Sequence, residues 1–556
     1  MNDERLGEVF RQLKLKGFVA TGTRASCREF EGVLGCSKGT VRARLVVKDW
    51  DFLTYPTITL LEHPSFLPTL MPHVDISGGL CYFRRGAVVL DRYDPAHAIL
   101  QCINQAEAVI SRIVTDPNYR SDDIQDEFLA HWIYGQKTWP VLKGSLSPNA
   151  ISANYSLLKT GEERRAIIAS DTAEVSAIAQ SIGSNVPTQT NCKCWLFQTD
   201  LRPSVPEVMP RSIKDLFAWL KQWDRKLYNG IQQILEREPS YLAYSFVTFA
   251  IDTPIGWLGF GFDLDQVKRL GSLRAPHLYK QYLHGKGGAS PILRLHITDI
   301  SPSFVHSRNL SFPDLRDKRI TVVGCGAIGS YVAQSLVRLG AGLGRGVLTL
   351  VDHDTLQPEN LGRHVLGYSA LFMLKAHALR DELKHQFPLS QIEAVAKNVV
   401  DYPLLFTADL MIDATGEEAV SELLNGWRLE RKSKVPILHV WIKKNGGCVQ
   451  ALWADQSGSG CFRCLKPSDE HFNRVDRFHV SNEPPLIHMI GCHAFTPYAV
   501  SSPMQAAALA IDTVIDWIKG DPSPRFRTRS IENANISRVK NQNISRLPNC
   551  PACSQR

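Results

Sequence analysis

Two pairs of cysteines and one run of glycines are the residues whose types and spacing most clearly specify chemistry. Cys461-Phe-Arg-Cys464 and Cys550-Pro-Ala-Cys553 each leave a two-residue gap, which lets both thiolates of a pair reach one tetrahedral ion. Four thiolates fill the coordination shell of Zn2+, so such a site is structural and leaves no position open for catalysis. The second pair stands almost at the C-terminus, where fraying is the default and a metal clip would hold the chain down. Gly324-Cys-Gly-Ala-Ile-Gly329 follows the apolar run Ile320–Val323 and opens a helical pattern. Its glycines permit a tight turn, and the helix N-terminus offers free N–H groups to a phosphate. Asp352 ends the next apolar run, 23 residues past Gly329, the spacing of an acid that bonds a ribose hydroxyl.

That fingerprint serves NAD and ATP alike. The residues after it separate the two. Asp352-His-Asp354 leads to Asn360-Leu-Gly-Arg363, and Lys375 lies on the next helical stretch. A guanidinium and an ammonium converging on the phosphate end have no evident use in hydride transfer. They do stabilise charge on a departing pyrophosphate, so the set points to ATP.

The elements that must hold these residues follow from the apolar pattern. From Lys318, strands at Ile320–Val323, Val347–Val351, Ile392–Ala396 and Leu410–Asp413 alternate with helices at Ile328–Arg338 and Ala370–His385. Pro503–Ile518 reads as a final Ala-rich helix. The alternation predicts a mostly parallel α/β sheet covered on both faces. Residues 1–135 read as an α+β unit, with a helix over Glu4–Leu15, strands at Val41–Val47 and Thr57–Leu61, and a helix over Ala96–Val114. Residues 136–311 carry a Trp-rich amphipathic piece (Ser212–Leu227), a β-like stretch (Tyr241–Asp252) and the Gly-rich run Gly256–Gly261. Cys192 and Cys194 are too close for an ordinary zinc pair and read as buried thiols. This middle section is expected to be a spacer or docking domain.

Bulk properties exclude several classes. A chain of 556 residues exceeds what one core sustains, so two or three domains are expected. With 44% apolar and 21% charged residues the composition is that of a soluble globular protein. A net charge of +8 without a basic stripe speaks against direct nucleic-acid binding. No apolar run is long enough to span a bilayer, and no leader pattern follows Met1. The expected location is the bacterial cytoplasm, where the thirteen cysteines are thiols, ligands or nucleophiles rather than disulfides.

Across nearly all of Lys318–Cys553 the sequence resembles the ubiquitin-activating (E1-like) superfamily, which includes the adenylyltransferases of molybdopterin and thiamine sulfur-carrier pathways. The Gly loop, Asp352-x-Asp354, Asn360-Leu-x-Arg363, Lys375, Asp413 and the cysteine pairs carry the resemblance. It implies a Rossmann-like adenylation domain over 312–556, in which Gly324, Gly326, Gly329, Asp352, Asn360, Arg363, Lys375 and Asp413 bind ATP and Mg2+. Cys461, Cys464, Cys550 and Cys553 would hold Zn2+. The substrate would be the C-terminal carboxylate of a small protein. Relatives often read Asp-x-x-Asp, the second Asp holding magnesium. Here the run is Asp413-Ala-Thr-Gly416 followed by Glu417, so Asp413 or Glu417 takes that role, with Asp413 the first choice.

Cys492, in Ile490-Gly-Cys-His-Ala-Phe-Thr-Pro497, has no cysteine partner nearby. A lone thiol is more often a packed small hydrophobe than a nucleophile. E1-like enzymes that pass their acyl group to a thiol place a cysteine in this interval, which makes Cys492 the expected first acceptor. Residues 5–135 resemble the ubiquitin-conjugating (E2) fold through Pro72-His-Val-Asp-Ile-Ser-Gly-Gly-Leu-Cys81 and Asp94-Pro-Ala96. The resemblance implies that Cys81 is the conjugating cysteine. Met71-Pro72-His73 stands where that family has His-Pro-Asn, so His73 replaces the oxyanion-binding Asn; an imidazole N–H can donate the same bond.

An E2-like domain ahead of an E1-like domain resembles the E1–E2 fusion proteins of bacterial antiphage (CBASS-type) operons. The implied route is adenylation, thioester on Cys492, transfer to Cys81, and amide formation on a target lysine. The conjugated protein would be a cyclic-nucleotide-producing nucleotidyltransferase, and the E1-like domains would pair as a homodimer. The competing readings are a sulfur-carrier adenylyltransferase that stops at the acyl-adenylate, and an NAD-dependent oxidoreductase or inactive Rossmann scaffold.

Overall fold

The computed structural model describes residues 3–24, 27–84, 86–136, 138–185, 191–467, 476–481, 483–490, 493–530 and 536–554. The chain divides into two compact units, residues 1–175 with 185–299, and residues 176–184 with 300–556.

The first unit begins with a five-stranded antiparallel sheet in the order β1 (Val19–Arg24), β2 (Cys27–Cys36), β3 (Gly39–Val47), β4 (Thr57–Leu60), β5 (Gly79–Leu80). Along β3, Val41, Ala43, Leu45 and Val47 are buried while Arg42 and Arg44 face outward, the period-two pattern of a half-covered sheet. The cover includes helices α1 (Asp3–Leu15) and α2 (Pro95–Thr115). Helix α2 starts where expected because Asp94 accepts from His97 N and Pro95 occupies the first turn, a favoured helix entry. Ile99, Ile103, Ala106 and Ile110 form its buried stripe. Short helices α3 (Pro117–Asp126) and α4 (Phe128–Ile133) follow.

A closed barrel completes the unit, in the order β10 (Phe246–Thr253), β11 (Gly256–Asp263), β12 (Leu293–Asp299), β6 (Val141–Lys143), β8 (Glu163–Ala169), β7 (Ser152–Thr160), β9 (Cys192–Gln198). Cys192 and Cys194 lie buried on β9. The Trp-rich piece is two helices, Ile213–Trp223 and Arg225–Arg237, because Asp224 leaves helical geometry and caps the second. The Gly-rich run is strand interior. A Cβ on Gly259 would lie 2.6 Å from Ile297 Cδ1 and 3.1 Å from Leu295 Cβ on the paired strand β12, so a side chain there would make its neighbours shift.

In the second unit a seven-stranded sheet runs β15 (Ile392–Val395), β14 (Val347–Val351), β13 (Arg319–Val323), β16 (Leu410–Asp413), β17 (Ile437–Lys443), β18 (Cys448–Ala454), β21 (Phe526–Ser530). The first five are parallel and the last two antiparallel. A small hairpin, β19 (His488–Ile490) with β20 (His493–Phe495), stands apart from the sheet. Helix Ala327–Arg338 packs against the closing helix Ser501–Ile518. The helix expected from Ala370 begins instead at Lys375. Phe372 has φ +63, a left-handed conformation that ends any continuous helix there. Among the described residues no helix is long and apolar enough to cross a membrane.

Candidate functional site

Four segments converge on the glycine loop at the carboxyl ends of the parallel strands, the usual ligand crevice of such sheets. Gly324 has φ +87, and a Cβ on it would sit 2.9 Å from the Thr415 backbone. On Gly329 a Cβ would lie 1.8 Å from Gly324 O. Neither position tolerates a side chain. Gly326 is the N-cap of helix Ala327–Arg338, with open space where its Cβ would be.

Asp352, at the end of β14, accepts from Cys325 N at 2.6 Å and from Asp354 N at 2.8 Å. Lys375 is buried, its Nζ 3.0 Å from Asp354 Oδ2. Asn360 Oδ1 accepts from Gln357 N and closes the turn that carries Arg363. The Arg363 guanidinium lies 4.9 Å from the Tyr498 ring centroid. One clasp between these segments was not foreseen: buried His364 donates from Nε2 to Cys325 O at 2.7 Å, while its Nδ1 accepts from Leu366 N at 3.0 Å. Burial pushes its pKa down, so the ring stays neutral in that tautomer. Its adjacency to Arg363 was the available signal.

The expectation for Asp413 needs correction. Its carboxylate is sealed at 1% exposure and already saturated. Oδ1 accepts from Thr415 N and Thr415 Oγ1, and Oδ2 from Ser421 Oγ and His439 Nδ1 at 2.5 and 2.8 Å. Burial pushes the carboxyl up, but the His439 bond and charge, with both hydroxyls, more than offset that and hold it below its ordinary value. An ion would have to displace these donors, so Asp413 shapes the turn and does not fit as a magnesium ligand. Glu417, by contrast, is exposed at the end of the same turn. Among the described residues, Asp352, His353 and Asp354 form the other group close enough to share an ion.

The four remote cysteines come together. Cys461 Sγ lies 3.9 Å from Cys464 Sγ and 3.8 Å from Cys550 Sγ, and Cys464 Sγ lies 3.5 Å from Cys553 Sγ. Tetrahedral Zn–S bonds of about 2.3 Å put sulfurs roughly 3.8 Å apart, so the cluster fits zinc. All four are buried, and Leu547 N donates to Cys464 Sγ at 3.4 Å, an outer bond of the kind that orients a ligand.

Cys81 is exposed, just past β5, with its N–H bonded to His73 O at 2.7 Å. Two open basins flank it, of about 820 and 540 Å³. Burial and then the charge of Glu127 raise its thiol pKa. His73 corrects a second expectation. Its Nε2 faces Asp123 Oδ2 at 2.9 Å and Tyr119 OH at 3.0 Å, and its Nδ1 faces Glu127 Oε1 at 3.1 Å. The Glu127 bond leads the causes that raise its pKa, against the opposing effect of burial. Both ring nitrogens are thus committed to acids, and neither N–H is available to an oxyanion. What His73 contributes to Cys81 is its backbone carbonyl, presented by a left-handed φ of +60. Cys492, the other expected thiol, lies outside the described residues.

Family models match both ends of this arrangement: the ThiF family over residues 304–552 and Prokaryotic E2 family B over residues 14–139. The ATP-dependent ubiquitin transferase-like protein Cap2 of Pseudomonas aeruginosa is 31% identical over 522 residues, covering 91% of this chain and 90% of its own. The protein of the same name from Escherichia coli is 26% identical, covering 93% and 92%. Among solved structures, E. coli MccB with ATP aligns at 21% identity and a TM-score of 0.33, over 43% of this chain and 68% of that one. With an E1-like and an E2-like region both matched and the likeness to the Pseudomonas protein running almost end to end, the chain belongs to the family of ATP-dependent ubiquitin transferase-like Cap2 proteins.

Proposed function

We propose that this chain activates a protein C-terminal carboxylate with ATP, relays it through Cys492 and Cys81, and releases it as an amide on a lysine. Family membership makes it an ATP-dependent, ubiquitin-transferase-like enzyme with an E1-like and an E2-like domain; the relay order and the residue roles are the proposal. The division into an E2-like part over 1–135, a barrel-bearing connector over 136–311 and an adenylating part over 312–556 is part of the same reading. ATP phosphates would lie on the N–H groups of the 324–329 loop, with Asp352 towards the ribose and Arg363 and Lys375 towards the departing pyrophosphate. Magnesium accompanying ATP would be met by Glu417. The cysteine cluster would hold structural zinc. The carboxylate attacks the α-phosphorus and pyrophosphate leaves. Cys492 sulfur displaces AMP, and Cys81 sulfur then displaces Cys492. Both thiols on one chain meet at a high effective concentration.

The observation that carries the reading is an exposed thiol, anchored through its backbone and set between two open basins, on a chain that also carries a clasped nucleotide loop. The conjugated protein would be the cyclic-nucleotide-producing nucleotidyltransferase of a bacterial antiphage operon, modified in the cytoplasm by a homodimer of this chain. Incubation of the full chain with ATP and that protein, resolved without reductant, tests it. Two thiol-labile adducts are expected, one absent in Cys492→Ala and the other in Cys81→Ala. Conjugation unchanged in Cys81→Ala would leave a sulfur-carrier type of adenylyltransferase instead.

A further inference from the structure

The smaller basin beside Cys81 contains a histidine that the relay has not used. His131, on α4, is 2% exposed, and neither ring nitrogen has a hydrogen-bond partner. Its Nε2 lies 3.9 Å from Glu127 Oε2, while Glu127 Oε1 holds His73 on its other side. Glu127 is half-exposed and lines both basins that open on Cys81. A buried, unpartnered imidazole is costly and needs a reason.

We propose that His131 is the proton acceptor for the acceptor amine at Cys81, reached through Glu127. The inference rests on the reading of Cys81 as the conjugating thiol. It follows from what the other groups around this basin are already doing. His73 has both nitrogens committed to acids. Asp75 Oδ1 accepts from Ser77 N, Ser77 Oγ and Gly79 N. Asp126 is paired with Arg202 at 2.7 Å. Glu127, held below its ordinary pKa chiefly by the His73 bond, is a weak base that attracts an ammonium but keeps little hold on its proton. Among the described residues lining this basin, His131 has the uncommitted imidazole lone pair. Burial lowers its pKa, Glu127 opposing and His73 assisting, so the ring is neutral and ready to accept. On its other side it faces a cavity lined by Arg294, Arg211 and Glu207.

A lysine ammonium docks against Glu127 and gives up one proton to it, which passes to His131 Nε2. The amine nitrogen then bonds to the thioester carbonyl carbon, and the C–S bond breaks with its electron pair on Cys81 sulfur. The proton held by His131 returns through Glu127 to that thiolate, and the second amine proton leaves to water. The raised pKa of Cys81 makes the return necessary, because a bare thiolate is disfavoured at this position.

The test uses the full chain, loaded at Cys81 by exchange with a short glycine-terminated peptide thioester; Cys81→Ala gives the background from other thiols. Discharge is followed to free lysine and to hydroxylamine, which is uncharged at neutral pH and needs no deprotonation before attack. His131→Gln should load normally, discharge to hydroxylamine near the wild-type rate, and lose lysine discharge by roughly 100-fold, the low end of general acid–base contributions. Glu127→Gln, a nearly isosteric change at a half-exposed position, should show the same selective loss. Lysine discharge unchanged in both variants overturns the proposal, and so does an equal loss with both nucleophiles, which would mark a purely structural role. A wild-type chain that takes no adduct at Cys81 removes the underlying reading instead.

Discussion

The cysteine cluster near the C-terminus and Cys81 use one side chain in opposite surroundings. At the cluster, four sulfurs are buried and face one another at the spacing of a tetrahedral ion. At Cys81 one sulfur is exposed, and partial burial first and the charge of Glu127 second disfavour its thiolate. The nucleotide crevice resembles the cluster in this respect, since Asp413 and His364 spend their bonding capacity on their own chain. The Cys81 basin keeps capacity in reserve. Asp413 and His364 have their partners inside the fold, whereas both ring nitrogens of His131 are buried without one beside an open basin, and a buried polar group in that position calls for an explanation.

Substitution should separate the two kinds of site by size of effect. Cys464→Ala should do the most damage, because zinc binding of this type contributes roughly 10–16 kcal/mol in small domains. Loss of bound zinc by metal analysis, with a collapsed thermal transition, is the expected result; retained zinc would break the contrast. Next is His439→Leu, which strands a buried carboxylate and should cost about 3–5 kcal/mol, read from denaturant melts. The pH dependence has a defined sign. The Asp413 carboxyl is held below its ordinary value in the folded chain. Its contribution is therefore complete above the unfolded value of about 3.9 and is lost as pH falls through the folded one. His439→Leu should flatten that acid limb.

His364→Ala should cost about 1–3 kcal/mol by leaving the Cys325 carbonyl without its donor. It should also raise KM for ATP in pyrophosphate exchange more than it lowers kcat, with His364→Gln restoring part of the loss. Cys81→Ser should be the smallest change, within about 0.5 kcal/mol as expected of an exposed site. Iodoacetamide gives the same contrast without mutation. Cys81 should react at a rate still climbing at alkaline pH, since its thiol is shifted upward, and the cluster should react only after a chelator strips its metal.

Much of this was legible in the sequence because spacing encodes it. The glycine loop, the two Cys-x-x-Cys pairs and the strand alternation are local patterns, and each reappears as expected. Partnerships across the fold were not legible. His439 meets Asp413 only because β17 runs beside β16 in register, and His73 meets Glu127 across more than fifty residues. The barrel closes through parallel pairings of β6 with β8 and β12, which no short-range pattern announces. The His-for-Asn exchange at His73 looked chemically equivalent by side-chain inventory. Its acidic neighbours, brought in by α3 and α4, decide otherwise.

An acyl group activated by ATP is expected to come to rest on Cys81. Peptide mapping of the chain after incubation with ATP and its carrier, with Cys81→Ser used to trap a stable oxyester, tests it most directly. The carrier C-terminus should be found attached to the peptide containing residue 81, dependent on ATP and lost with Arg363→Ala. An ATP-dependent adduct found elsewhere while residue 81 stays unmodified would contradict this expectation.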